Sequence, residues 1–276
     1  MSKLRWSIAL SITLLVSYLA ASFPTWIVNH GLIFIIILVI LFGIPHGAAD
    51  CLMLKYSDQA RFTGVRRFNF YATYIFLIVG DVTCWYWFPA LALSIFIVIS
   101  LYHLGQSELY HLSLPNHLIQ SLIYCCWGAF MIFVPILADP EAVTAILKEV
   151  MGETGLTEFP HADCAIAVII LLNVLLLGGL TQLRYLSRSV FWREVVNLLV
   201  LAVLFNSAPL IVSFGIYFTL WHSLSSTVAQ IHLIRQFNPA FNLTTFYVQA
   251  APLTLVSIAL FVLMLTQLSW SFTEPS

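Results

Sequence analysis

An all-α, polytopic transmembrane helical bundle is the fold class this sequence predicts, and three observations carry the prediction. Of the 276 residues, 61% are hydrophobic and only 8% are charged, where a soluble domain carries about a quarter charged residues. The apolar residues fall in runs of about 20, the length a helix needs to cross the hydrocarbon. The basic residues gather at alternate ends of those runs. Too little polar surface remains to coat a globule in water, so the lipid bilayer is the solvent for most of the chain. A net charge of −1 argues against nucleic acid as a partner.

In chain order, about nine runs qualify (eight to nine): residues 6–28, 32–52, 70–88, 90–110, 117–138, 163–182, 191–205, 210–231 and 245–268. The first is longer than a signal-peptide core, so it reads as an uncleaved span. The seventh is the shortest. No Pro-, Gly- or Ser-rich linker separates blocks, so residues 1–276 read as one integral membrane domain. Nine spans with a cytoplasmic N-terminus put Lys3, Arg5, Lys55, Arg61, Arg66, Arg67, Arg184, Arg188, Arg193 and Arg235 inside and only Lys148 outside, ten of the eleven basic residues. A miscount by one span scrambles this pattern. The expected location is therefore the cell membrane, multi-pass, with the N-terminus cytoplasmic.

The longest outer segment is 139–160. Val143, Ile146, Leu147, Val150 and Met151 recur at helical spacing there, Asp139 before Pro140 forms an N-cap signal, and Gly152 supplies a stop. This predicts a short amphipathic helix on the outer membrane surface, which either covers the bundle or simply connects two spans. The five cysteines form no C-x-x-C pair and lie in or beside apolar runs, so they read as small buried hydrophobes.

Histidine is where chemistry enters. His30, His111, His117, His161 and His232 fall at predicted span ends or in loops, where water satisfies them. His46, His103 and His222 fall inside the second, fourth and eighth spans, which all run from outside to inside. They lie 14, 13 and 12 residues from their span starts, so at ~1.5 Å per residue they share a depth to within roughly 3 Å. An imidazole in lipid needs a partner, and intramembrane polar residues mark function. One such histidine alone reads as a hydrogen-bonded packing residue. Three at matched depth point to a metal, and neutral imidazole suits iron, copper and zinc.

Each of these histidines has polar company. Asp50 lies four residues after His46, on the same helical face, where a carboxylate either binds metal or orients a ligand imidazole. Asp50 and Glu108 have a second reading as inner-edge charges reaching Arg66 or Arg67. Pro45 is expected to kink the second span. Phe214, Tyr217, Phe218 and Trp221 precede His222 within two turns, a stripe that either lines a slot for a flat apolar substrate or belongs to ordinary helix packing.

Three segments carry a family resemblance: Gly43-Ile44-Pro45-His46-Gly47-Ala48-Ala49-Asp50, then Tyr102-His103-Leu104-Gly105-Gln106-Ser107-Glu108, then Pro209 and Phe214-Gly215-Ile216-Tyr217-Phe218-Thr219-Leu220-Trp221-His222-Ser223. They resemble the Brp/Blh family of membrane-bound β-carotene 15,15′-dioxygenases, in the family's order and over most of the chain. The resemblance implies a helical-bundle enzyme that uses Fe(2+) and dioxygen to split the central double bond of β-carotene, or a related carotenoid, into two retinal molecules. His46, His103 and His222 match the family's iron ligands. Asp50 is then expected to orient the site, and Tyr217, Phe218 and Trp221 to bind substrate. The family pattern has a further ligand histidine four residues after His222, where this chain has Ser226, and Glu108 stands where aspartate is common. Water, Asp50 or Glu108 then completes the coordination sphere, or the metal has been lost. The rival reading is a non-catalytic carotenoid- or retinal-binding relative; a haem-binding electron carrier and a transporter rank below it. No oligomeric state is assigned.

Overall fold

The computed structural model describes residues 3–47, 50–57, 64–152 and 159–271, and among them the regular structure is helical, with no strand. In chain order the elements are α1 (Lys3–Ser22), α2 (Pro24–Leu38), a π turn (Val39–Gly43), α3 (Ile44–Gly47), α4 (Asp50–Ser57), α5 (Gly64–Trp87), α6 (Pro89–Glu108), α7 (His117–Ala138), α8 (Pro140–Met151), α9 (Ala162–Gln182), α10 (Arg188–Ser207), α11 (Leu210–Ile216), a second π turn (Tyr217–Ser223), α12 (Leu224–Arg235) and α13 (Leu243–Ser271).

Among the described residues, eight helices are long and apolar enough to cross a membrane. Their outward faces are apolar: Ile75, Phe76, Leu77 and Val79 on α5 are exposed, while Thr13, Ser17, Asn173, Glu194 and Asn197 are buried. This reverses the pattern of a water-soluble protein and suits helices solvated by lipid. The chain is a polytopic membrane protein.

Three boundaries differ from the sequence-based expectation. The first span ends at Ser22, because Pro24 opens a new helix at the position where a missing N–H costs nothing. His30 therefore sits inside α2, stacked on Trp26 at 5.0 Å, and not in a loop. The expected seventh span, the shortest, is a full 20-residue helix. The expected eighth span is helical from Leu210 to Arg235, but a π turn interrupts it, and Thr219, His222, Ser223, Ser225 and Ser226 make it too polar to stand among the eight. The cysteines also differ: Cys126 and Cys164 are exposed, Cys84 and Cys125 half-buried. A thiol faces lipid at little cost, so an outward helix face accepts it as readily as a core does. The side chain of Cys51 lies outside the described residues, as does the structure of residues 153–158 in the outer segment.

The chain forms two compact units. The first comprises Met1–Leu32 and Thr73–Tyr217. There α1 packs on α10, and α7 packs on α6, α9 and α11. The α6–α7 crossing is set by glycine. A methyl group on Gly105 would overlap the Tyr124 carbonyl, and one on Gly128 would overlap the Leu101 carbonyl, so the two backbones touch at both points. The α1–α10 seam carries a polar chain: Trp6 Nε1 donates to Asn197 Oδ1 (2.7 Å), Asn197 Nδ2 donates to Glu194 Oε2 (2.8 Å), and Arg193 donates twice to Glu194 Oε1 (3.0 and 2.8 Å). Asp139 caps α8 through the Ala142 N–H (3.2 Å) and also accepts from the Leu210 N–H at the start of α11 (2.9 Å). Gly152, with φ 81°, stops α8, as its sequence signals anticipate.

The second unit comprises Ile33–Ala72 and Phe218–Ser276. Its core is Leu52 and Tyr56 of α4, Ile231 and Ile234 of α12, Phe241, and Phe246 and Ala250 of α13. Gln249 pairs with the Tyr56 hydroxyl (2.9 Å), and Arg235 Nε donates to the Phe241 carbonyl (2.7 Å).

Candidate functional site

The two π turns lie at two of the three histidines singled out from sequence, His46 and His222. In the first, the Ile44 N–H reaches back five residues to the Val39 carbonyl, one residue further than an α-helix allows. The cause is local. Pro45 has no N–H, and its ring crowds the carbonyl four residues back, so widening the turn relieves the crowding. Pro45 is buried, and His46 follows it in the short α3. The second π turn holds His222 itself.

The second unit brings these two imidazoles together. The His46 and His222 rings lie edge to face, with centroids 5.2 Å apart and planes at 85°. Phe218 stacks on His222 at 5.6 Å and 21°. His222 is only 3% exposed. The Phe218 ring fits because Gly43 lacks a side chain: a Cβ there would stand 2.9 Å from Phe218 Cε1. Among the described residues, no atom lies within 4 Å of the place where a Cβ would go on Gly47. The two rings can ligate a metal only in their neutral form. As neutral rings they are nitrogen donors for a divalent transition metal.

His103 belongs to the first unit. Leu101 and Gly105 of α6 abut α7, and His103 lies two residues from each, roughly 200° around the helix. It therefore stands on the face turned away from α7, and it is exposed. Among the described residues, no three His, Cys, Asp or Glu side chains gather into a metal-sized group.

The remaining sequence-derived residues fall as follows. Asp50 begins α4, and its side chain lies outside the described residues. Ser226 sits one turn past His222 in α12, half-buried. Glu108 ends α6, where its charged neighbours are Glu194 and Arg193 of α10. The side chain of Arg66, one of the partners expected for it, lies outside the described residues. Tyr217 is fully buried in the first unit against Phe205 and Phe214, at ring distances of 6.3 and 6.0 Å. Trp221 is 1% exposed. Of the aromatic stripe, Phe218 is the ring stacked on His222. Gly43, which admits that ring, was not singled out on its own; the small-residue run around His46 was its signal in the sequence.

A family described as Beta-carotene 15,15′-dioxygenase matches residues 37–275. A relative named probable beta-carotene 15,15′-dioxygenase Blh, from Halobacterium salinarum, is 27% identical over 244 residues, 80% of this chain and 70% of that protein. A second, named beta-carotene 15,15′-dioxygenase, from an uncultured marine bacterium (66A03), is 26% identical over 186 residues, covering 67% of this chain and 64% of that protein. No solved structure gives a significant match. With its family match running through both π turns and nearly to the C-terminus, the chain belongs to the beta-carotene 15,15′-dioxygenase family.

Proposed function

We propose that this protein cleaves the central double bond of β-carotene, or of a related carotenoid, giving two retinal molecules, with Fe(2+) held by His46, His103 and His222. The observation that carries the reading is the contact between His46 and His222, each set at a π turn, in a chain of this family. Imidazole nitrogens are donors that suit ferrous iron. Bound iron would supply activation of dioxygen towards the alkene. The overall change needs no external reductant, since one dioxygen and one carbon–carbon double bond become two aldehyde groups.

The chain's own residues have four tasks. Phe218 holds the His222 plane and offers an apolar face to a polyene. Asp50, four residues past His46, orients that imidazole by accepting its N–H. The apolar outer surface lets the substrate approach from lipid. Tyr217 and Trp221 shape the wall next to the histidine-bearing turn. The same reading places the chain in the cell membrane with its N-terminus in the cytoplasm and α8 outside.

The test uses purified full-length protein loaded with Fe(2+) and given β-carotene under ¹⁸O₂. Two retinal molecules per β-carotene are expected, each carrying one labelled oxygen, and a membrane-permeant chelator should abolish them. Pigment that stays bound and uncut by iron-loaded protein would overturn the proposal.

A further inference from the structure

The geometry points to Tyr247 as a positioning residue for His46: its hydroxyl stands in for the N–H that Pro45 lacks and fastens the π turn leading into that histidine. In an α-helix each carbonyl accepts from the amide four residues on. Leu41 would accept from residue 45, which is proline, and Ile40 would accept from residue 44, whose N–H is already given to Val39. The turn just before His46 has therefore lost two ordinary donors. In hydrocarbon no water replaces them, and Leu41 is on an exposed face.

The replacement comes from a different helix. The Tyr247 hydroxyl of α13 donates to the Leu41 carbonyl at 3.1 Å. Tyr247 is itself well placed, since its ring packs against the Leu52–Tyr56–Phe246 core of the second unit, and α13 runs along α3. The bond ties that core to the turn that aims His46 at His222. Pro45 creates the need, and a tyrosine 202 positions further along the chain meets it. The consequence for metal binding rests on the proposed function; the fastening of the turn does not.

The experiment is a double-mutant cycle in the full-length protein in detergent, comparing Tyr247→Phe alone with Tyr247→Phe in a Pro45→Ala background. Alanine at 45 restores the backbone donor, so the hydroxyl becomes redundant. Hydrogen exchange at the Ile44, His46 and Gly47 amides is expected to accelerate about tenfold in Tyr247→Phe and less than about twofold when Pro45→Ala is also present. Iron affinity is expected to fall on the order of tenfold in the single variant, with cleavage recovering at saturating iron. Tyr56→Phe, which removes a hydroxyl from the same core, should leave those amides unchanged. Unchanged exchange in Tyr247→Phe, or the same acceleration in both backgrounds, would overturn the inference. If wild-type protein holds no iron, the function proposed above fails while the exchange arm still decides the role of Tyr247.

Discussion

The protein sets its intramembrane histidines in two different ways. His103 rides on an uninterrupted α-helix whose position is fixed from behind by backbone contact at Gly105 and Gly128. His46 and His222 ride on helical segments that have been opened by π turns, and their rings are held by a neighbouring ring and by the absence of a side chain at Gly43. The first device is rigid and tolerates no added atom. The second is a local departure from regular geometry, held in place by specific partners. Mutations should therefore act on folding in the first case and on ligand chemistry in the second.

The sharpest way to break this contrast is at the crossing. Gly105→Ala or Gly128→Ala puts a methyl group into a backbone carbonyl that cannot rotate away. A loss of at least ~3 kcal/mol is expected, read as little or no monodisperse protein on size exclusion. Gly80→Ala, where a Cβ meets open space, should behave as wild type. Next in size are His46→Ala and His222→Ala. Both should fold normally yet lose iron and retinal formation by about a hundredfold or more. His103→Ala should match them; full iron occupancy in that variant would take His103 out of the ligand set and leave the π-turn pair as the centre.

Smaller effects test the scaffold. Glu194→Ala strands Asn197 and Arg193, and about 2 kcal/mol of stability should go with it, seen as a lower thermal midpoint with iron binding retained. Asp139→Ala removes the side-chain acceptor from two helix starts and should cost about 1–2 kcal/mol. Gly43→Ala is the mildest. The Phe218 ring must shift by a few tenths of an ångström, and we expect about a threefold weaker iron affinity with an unchanged midpoint. An unchanged affinity would mean that the stacked ring does not hold His222 to the required precision.

Much of the architecture was readable because lipid simplifies the grammar. A run of about 20 apolar residues has few fates other than a span, so α5, α6, α7, α9 and α10 stand close to where hydropathy put them. The amphipathic α8 was marked at both ends by Asp139–Pro140 and Gly152. The break at Pro24 was also written in the sequence, but unbroken hydropathy across residues 6–28 masked it. For the site, depth within the spans singled out His46, His103 and His222, and motif resemblance supplied the family. Periodicity did not reveal the π turns, since it assumes 3.6 residues per turn throughout. Nor did it reveal Tyr247, because Pro45 shows that a carbonyl lacks a donor without saying which distant side chain provides one. The second bond of Asp139, to Leu210, was hidden for the same reason.

The Val39–Gly43 turn has a genetic consequence. A π turn is an α-helix with one residue inserted, so removing a single codon from this stretch would restore regular winding. The Ile44 N–H would then stand four residues from the Val39 carbonyl and keep its bond, and every position downstream, His46 included, would keep its facing, because five residues of π winding and four of α winding both turn the axis by about 400°. An in-frame deletion of three nucleotides would thus straighten this helix while leaving the His46 imidazole on the side it now occupies.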